Sequence, residues 1–288
     1  MGEVVASALI AHVPTIVLPP DVRRSLNNGK ESTLVTGLER LRKDFFEGDN
    51  YDLVIVFDSH WFTTVEFVVT SHERRSGYFT SEELPRGMSQ RRYDIKGDPT
   101  FAKAIEEAGE VRGTWVTAID DPFLPINYAT TNVWEYLGRG IDRPWISIGV
   151  CQTATKDDFL LLGSAVADAI GASDKRVVLI ASGAMSHTFW PLKELRNHEA
   201  AGVEHIFSTE AYEADMVRLA ALERGDHALV IDTMDDFYRF RPEARFGHYL
   251  MMAGACGGRD FKVHGRRYGE YENSIGTGQV HVFFDHRR

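Results

Sequence analysis

Tyr51–Trp61, YDLVIVFDSHW, is the stretch on which the fold turns. Leu53-Val54-Ile55-Val56-Phe57 is apolar without alternation, then Asp58, Ser59 and His60 turn polar. A short β-branched run of this kind marks a strand buried on both faces, as in a helix-covered parallel sheet. Such sheets place their chemistry beyond the carboxyl ends of the strands, where His60 is expected. The pattern recurs at the N-terminus, where Val4–Ile10 leads into Ala11-His12-Val13-Pro14, and at Arg176–Ala181, which leads into Gly183-Ala184-Met185-Ser186-His187. Two buried strands that each deliver a histidine to one edge point to a pair of metal ligands or an acid–base pair.

The rest of the chain alternates helix and strand. Helical spacing covers Ser32–Phe46, Pro99–Ala108, Asn132–Leu137, Asp157–Ile170, Glu210–Arg224 and Ala244–Cys256, with a short helix beginning at Ala228. Further strands are expected at Val65–Thr70, Trp115–Ile119, Trp145–Val150 and Gly278–Phe284. Residues 71–100 are polar and rich in turn formers, and are expected to form a long loop near the site. No linker or low-complexity segment interrupts the alternation. The expected fold is α/β, a single domain over 1–288 with a central mostly parallel sheet covered by helices.

Composition narrows the function. The 288 residues are 43% hydrophobic and 26% charged, values of an ordinary globular protein. The net charge of -10 argues against a nucleic-acid surface. No apolar run approaches the ~20 residues that span a bilayer, and the N-terminus lacks the basic region of a signal peptide. Cys151 and Cys256 form no metal-spaced cluster and are expected as reduced thiols, which implies a cytoplasmic protein.

The remaining histidines divide by context. His72, His198, His205, His227, His264 and His286 have polar neighbours and are expected at the surface, while His248 and His281 could face either way. Glu243, in Arg241-Pro242-Glu243-Ala244-Arg245, precedes the apolar segment GHYLMMAGAC. It could serve the helix dipole, or complete a two-histidine, one-carboxylate set of the kind that suits non-haem Fe(II).

The pieces AHVPT, VIVFDSHW, LIASGAMSH, RPEARFGHY and SIGTGQVHVFF, in this order, resemble the class III extradiol ring-cleavage dioxygenases, the family of the protocatechuate 4,5-dioxygenase β subunit. GYFTSEELP and SIGTGQV are most similar to its homoprotocatechuate (3,4-dihydroxyphenylacetate) 2,3-dioxygenase branch. The resemblance spans residues 4 to 284. It implies Fe(II) held by His12, His60 and Glu243, an acid–base histidine at His187, and dimers or larger assemblies. It also implies O2 and a catechol as substrates, with a muconic semialdehyde as product. A related catechol, an aminophenol, or a different metal reaction on the same fold remain alternatives.

Several members of that family carry an Asp-His-Gly histidine. Here the matching stretch is Ile126-Asn127-Tyr128-Ala129-Thr130, so Tyr128 stands in its place as a catalytic candidate. Arg241 and Arg245 beside Glu243, together with His248, are candidates for substrate binding. Arg91 and Arg92 are further candidates for a substrate carboxylate, which a buried site would have to neutralise.

Overall fold

The computed structural model describes residues 1–287; residue 288 lies outside the described residues. The chain opens with β1 (Glu3–Ile10), the short helix α1 (Pro20–Leu26) and α2 (Thr33–Leu41). After β2 (Leu53–Thr63) and β3 (Phe67–Thr70), β4 (Arg74–Phe79) and β5 (Arg91–Lys96) form an antiparallel hairpin of their own. Then follow α3 (Pro99–Arg112), β6 (Val116–Ile119), α4 (Tyr128–Leu137), β7 (Trp145–Cys151), α5 (Lys156–Ala172) and β8 (Arg176–Ser182). The last third holds α6 (Thr209–Glu223), α7 (His227–Asp232), α8 (Met234–Phe237) and α9 (Gly247–Ala255). Four short strands close the chain: β9 (Gly265–Arg267), β10 (Glu272–Ser274), β11 (Thr277–Gln279) and β12 (His281–Asp285).

The main sheet has eight strands in the order β6-β3-β7-β2-β8-β1-β12-β9. Its centre, β7-β2-β8-β1, is parallel, and β12 and β9 are added antiparallel at one edge. The run that opened the sequence reading divides between two cores, as a strand buried on both faces must. Leu53, Ile55 and Phe57 enter a core shared with buried residues of α3, α5, α6 and α9, while Val54 and Val56 face one shared with α2 and α4.

The structure departs from the sequence expectations at definite points. The polar switch at Asp58 does not end β2; the strand continues to Thr63, with an irregular register between Asp58 and Phe62 against β7. Residues 71–100 are mostly hairpin, which leaves 80–90 as the connecting loop. They look polar because only one face of the hairpin, with Tyr93 and Ile95, is buried. His72 and His227 are buried, not at the surface. His227 stacks on Phe261 at 3.6 Å and bonds to Tyr249 Oη and the Val263 carbonyl; burial lowers its pKa to about 4. The last apolar helix starts at Gly247, not Ala244, because Ala244, Arg245 and Phe246 are all left-handed (φ 47°, 57° and 59°). Among the described residues no helix is long and apolar enough to cross a membrane.

Candidate metal centre and its cavity

Strand register assembles the site. Ile10 of β1 and Asp58 of β2 both pair with Ser182 of β8, the strand between them. His12 and His60 each lie two residues further on, so they emerge level with one another on either side of β8. Their rings meet edge to face at 5.0 Å between centroids. Glu243 arrives from the other half of the chain, on the left-handed turn before α9. Each backbone excursion of that kind in a non-glycine residue is strained, and such strain gathers at functional sites. The three side chains can present one ligand atom each, all within 4.8 Å of one another.

Polar residues around this cluster set its chemistry. Ser182 Oγ donates to the Ala129 carbonyl, so it accepts from His12 Nδ1 at 3.0 Å. This network assigns the proton to Nδ1 and leaves Nε2, 3.4 Å from Glu243 Oε1, with its lone pair free. His60 Nε2 lies 2.7 Å from the same carboxylate oxygen. Asp58, fully buried, accepts the backbone N–H groups of His60 and Trp61 at 2.9 Å and the Thr130 hydroxyl at 2.7 Å. The α4 segment then ties both ligand backbones: the Asn132 amide donates to the His12 carbonyl and the Asn127 amide to that of His60. His281 is buried and accepts the Ala11 N–H at Nδ1, and burial lowers its pKa to about 3. The ring is therefore a neutral brace for the residue before His12.

Glu243 accepts from Ser59 Oγ at 2.9 Å and from the Ala184 N–H, and its own N–H donates to the Met185 carbonyl. Burial alone would raise its pKa, but the neighbouring His12, His187 and His60 outweigh this and hold it well below the usual carboxylate value. Two imidazoles and an ionised carboxylate, with no lysine or arginine among the described residues paired to that carboxylate, are a donor set that fits a divalent metal ion.

His187 lines the same cavity, of about 490 Å³, as His12, His60, Tyr128 and Glu243. Burial lowers its pKa, with Glu243 only partly opposing. The Tyr128 hydroxyl lies 2.7 Å from His60 Nε2 and donates to Glu83 Oε2 at 3.1 Å. Burial, then the charges of Glu243 and Glu83, push its pKa far above the usual phenol value. The phenol thus stays protonated and is a donor, not a base.

The candidates for substrate binding do not converge on this cavity. Arg241 and Arg245 are exposed and do not line it, because the left-handed turn that presents Glu243 directs its neighbours away. Arg245 donates instead to the Ala154 carbonyl and sits over Tyr238. Arg91 and Arg92 belong to β5 and also stand outside the lining. His248 is fully buried behind Gly183, where an added Cβ would lie 2.5 Å from its ring. Burial lowers the pKa of His248 to about 3, so it is a neutral packing group.

One carboxylate that sequence inspection passed over supports His187. Asp215 of α6 is fully buried and accepts from Ser186 N–H at 3.0 Å, Ser186 Oγ at 2.6 Å and Tyr271 Oη at 2.5 Å. It pins the residue next to His187. Asp215→Ala strands three buried donors, each worth roughly 1–3 kcal/mol when unpaired. The expected loss is about 3 kcal/mol or more, read from the urea midpoint. A fall in kcat with little change in KM should accompany it, since Ser186 is released beside the acid–base candidate.

With this geometry in view, the chain can be compared with known proteins. The family described as the catalytic LigB subunit of aromatic ring-opening dioxygenase matches residues 6–285. A 3,4-dihydroxyphenylacetate 2,3-dioxygenase of Escherichia coli is 27% identical over 192 residues, 66% of this chain and 68% of that protein. A 2-aminophenol 1,6-dioxygenase β subunit of a Pseudomonas species is 26% identical over 98% of this chain and 93% of its own length. The crystal structure of an uncharacterized Escherichia coli K12 protein superposes with a TM-score of 0.64 at 14% identity, covering 97% of this chain and 99% of that one. That last likeness concerns the fold alone. Matched over nearly its whole length, this chain belongs to the family of catalytic LigB subunits of aromatic ring-opening dioxygenases.

Proposed function

We propose that the protein opens an aromatic ring beside an ortho pair of heteroatoms, the extradiol position of a catechol, using Fe(II) held by His12, His60 and Glu243. The observation that carries this reading is the convergence of those three side chains in a cavity also lined by His187 and Tyr128. The two curated relatives act, by their names, on 3,4-dihydroxyphenylacetate and 2-aminophenol. Both carry adjacent ring donors that could reach one metal together.

When bound, Fe(II) supplies chelation of the two ring donors and the electron transfer to O2 that side chains cannot provide. The protein supplies positions and protons. Glu243, buried and fixed by Ser59 and Ala184, stays an anion and offsets one charge of the metal. His187, kept neutral by burial, takes the proton from a substrate hydroxyl oxygen and can return it later. Tyr128, beside His60, would turn its single O–H from Glu83 to a substrate ring oxygen, where it would steady negative charge.

Anaerobic reconstitution with Fe(II), followed by addition of O2 and a panel of catechols and 2-aminophenol, tests this reading. One O2 should be consumed per ring opened, with a yellow ring-fission product from the catechols. Reconstitution with Zn(II) should give no O2 uptake. Failure of every ortho-substituted phenol with the iron-loaded enzyme would overturn the proposal.

A further inference from the structure

Apart from the metal ligands, much of the cavity lining is apolar. Leu84, Phe189, Trp190, Leu192, Leu195 and Ile275 supply it, together with the neutral Ser274, Thr277 and Gln279 and the acid Glu83. Leu84, Phe189 and Leu192 are also among the exposed large hydrophobic residues, Leu192 at 88% exposure. Exposed apolar groups collected at one cavity mouth mark a surface that binds something apolar. Among the described residues no lysine or arginine lines the cavity. The exposed Arg86, Lys193 and Arg196 lie on the loops that carry Leu84, Leu192 and Leu195, but none is part of the lining.

Among the described residues, the carboxylates of the lining are Glu243 and Glu83, both negative. A substrate carboxylate at this mouth would meet the negative charge of Glu83, itself 63% exposed, and no lysine or arginine of the described lining would attract it. An ammonium substituent is less well served than it first looks. Away from the metal ligands Glu83 is the one acid of the described lining, and at 63% exposure an ion pair with it contributes little.

We infer that the ring substrate carries an uncharged hydrophobic substituent, alkyl or aryl, which packs on Leu84, Phe189, Trp190, Leu192, Leu195 and Ile275. This rests on the ring-opening function proposed above and departs from the carboxylated catechol that the family resemblance suggested. Each methylene buried against such a wall strengthens binding several-fold, less where the mouth stays wet.

The test is calorimetric binding to the iron-loaded enzyme without O2, using catechol, 4-butylcatechol, 3,4-dihydroxyphenylacetate and 3,4-dihydroxyphenethylamine, with turnover measured in parallel. 4-Butylcatechol should bind roughly 10–100-fold tighter than catechol, and the carboxylate should bind more weakly than catechol. Leu192→Arg, at an exposed position that the fold does not need, should lower the butylcatechol preference and raise affinity for the carboxylate. Tightest binding by the carboxylate or the amine in the wild type overturns the inference while leaving ring opening intact. If no member of the series binds or turns over, the ring-opening function falls and this inference with it.

Discussion

His12→Ala and His60→Ala are each expected to purify without stoichiometric iron and to show no measurable ring opening. Either substitution removes one of three ligand atoms that lie within 4.8 Å of one another. Loss of a residue that merely orients a ligand typically weakens metal binding 10–100-fold, and loss of the ligand itself should exceed that. Ser182→Ala supplies the comparison. It removes the acceptor that keeps the His12 proton on Nδ1 and should fall in the roughly 10–100-fold range, with rate recovered at high iron concentration. The His12 and His60 side chains stand at the sheet edge and not in the two hydrophobic cores, so folding of the variants should be near normal by circular dichroism. Metal content by atomic emission and metal titration with the rate measured at each point decide the matter. Iron retained at one per chain with normal turnover in either alanine variant would remove the cluster from the chemistry.

His187→Phe is expected to keep its iron and bind catechols while losing roughly 10²–10⁴ in kcat, the usual worth of a positioned acid–base group. The phenyl ring conserves the packing against Phe189, 4.7 Å away between ring centroids in the native chain, and removes only the titratable nitrogens. A second readout is the pH profile. As a base, His187 is active when neutral, and burial lowers its pKa below the ordinary imidazole value of about 6.5. The acid limb of kcat/KM should therefore lie below that pH in the native enzyme: activity is present above it and is lost as pH falls through it. In His187→Phe that limb should disappear. A native limb at or above 6.5, or an unchanged limb in the variant, would assign the titration to another group.

How much of this could be read from residues alone is clearest at the two ends of the cluster. YDLVIVFDSHW announced a strand buried on both faces, because an unbroken β-branched run leaves no solvent face, and its side chains do divide between two cores. The handover from strand to histidine is likewise a local pattern and was visible at His12, His60 and His187. Their convergence was an expectation that spacing alone did not prove. It depends on β1, β8 and β2 being neighbours in a register that sets Ile10 and Asp58 both opposite Ser182, and hydrogen-bond register across a sheet leaves no mark on any one strand.

The same limit accounts for the errors. Adjacency to Glu243 made Arg241 and Arg245 look like substrate contacts, but three successive left-handed residues turn the chain there. Ala, Arg and Phe give no hint of that conformation, which only the surrounding packing can impose. His72 and His227 have polar neighbours in sequence and buried ones in space. Ser182, Asn127, Asn132 and Asp215 are common residues in unremarked contexts, and their roles come from partners tens or hundreds of positions away. Composition and periodicity were enough for the α/β class and for the ends of strands as the place of chemistry, because burial and strand period act over a few residues. The make-up of the cavity wall was left to tertiary structure, because the lining is assembled from seven separate stretches of chain.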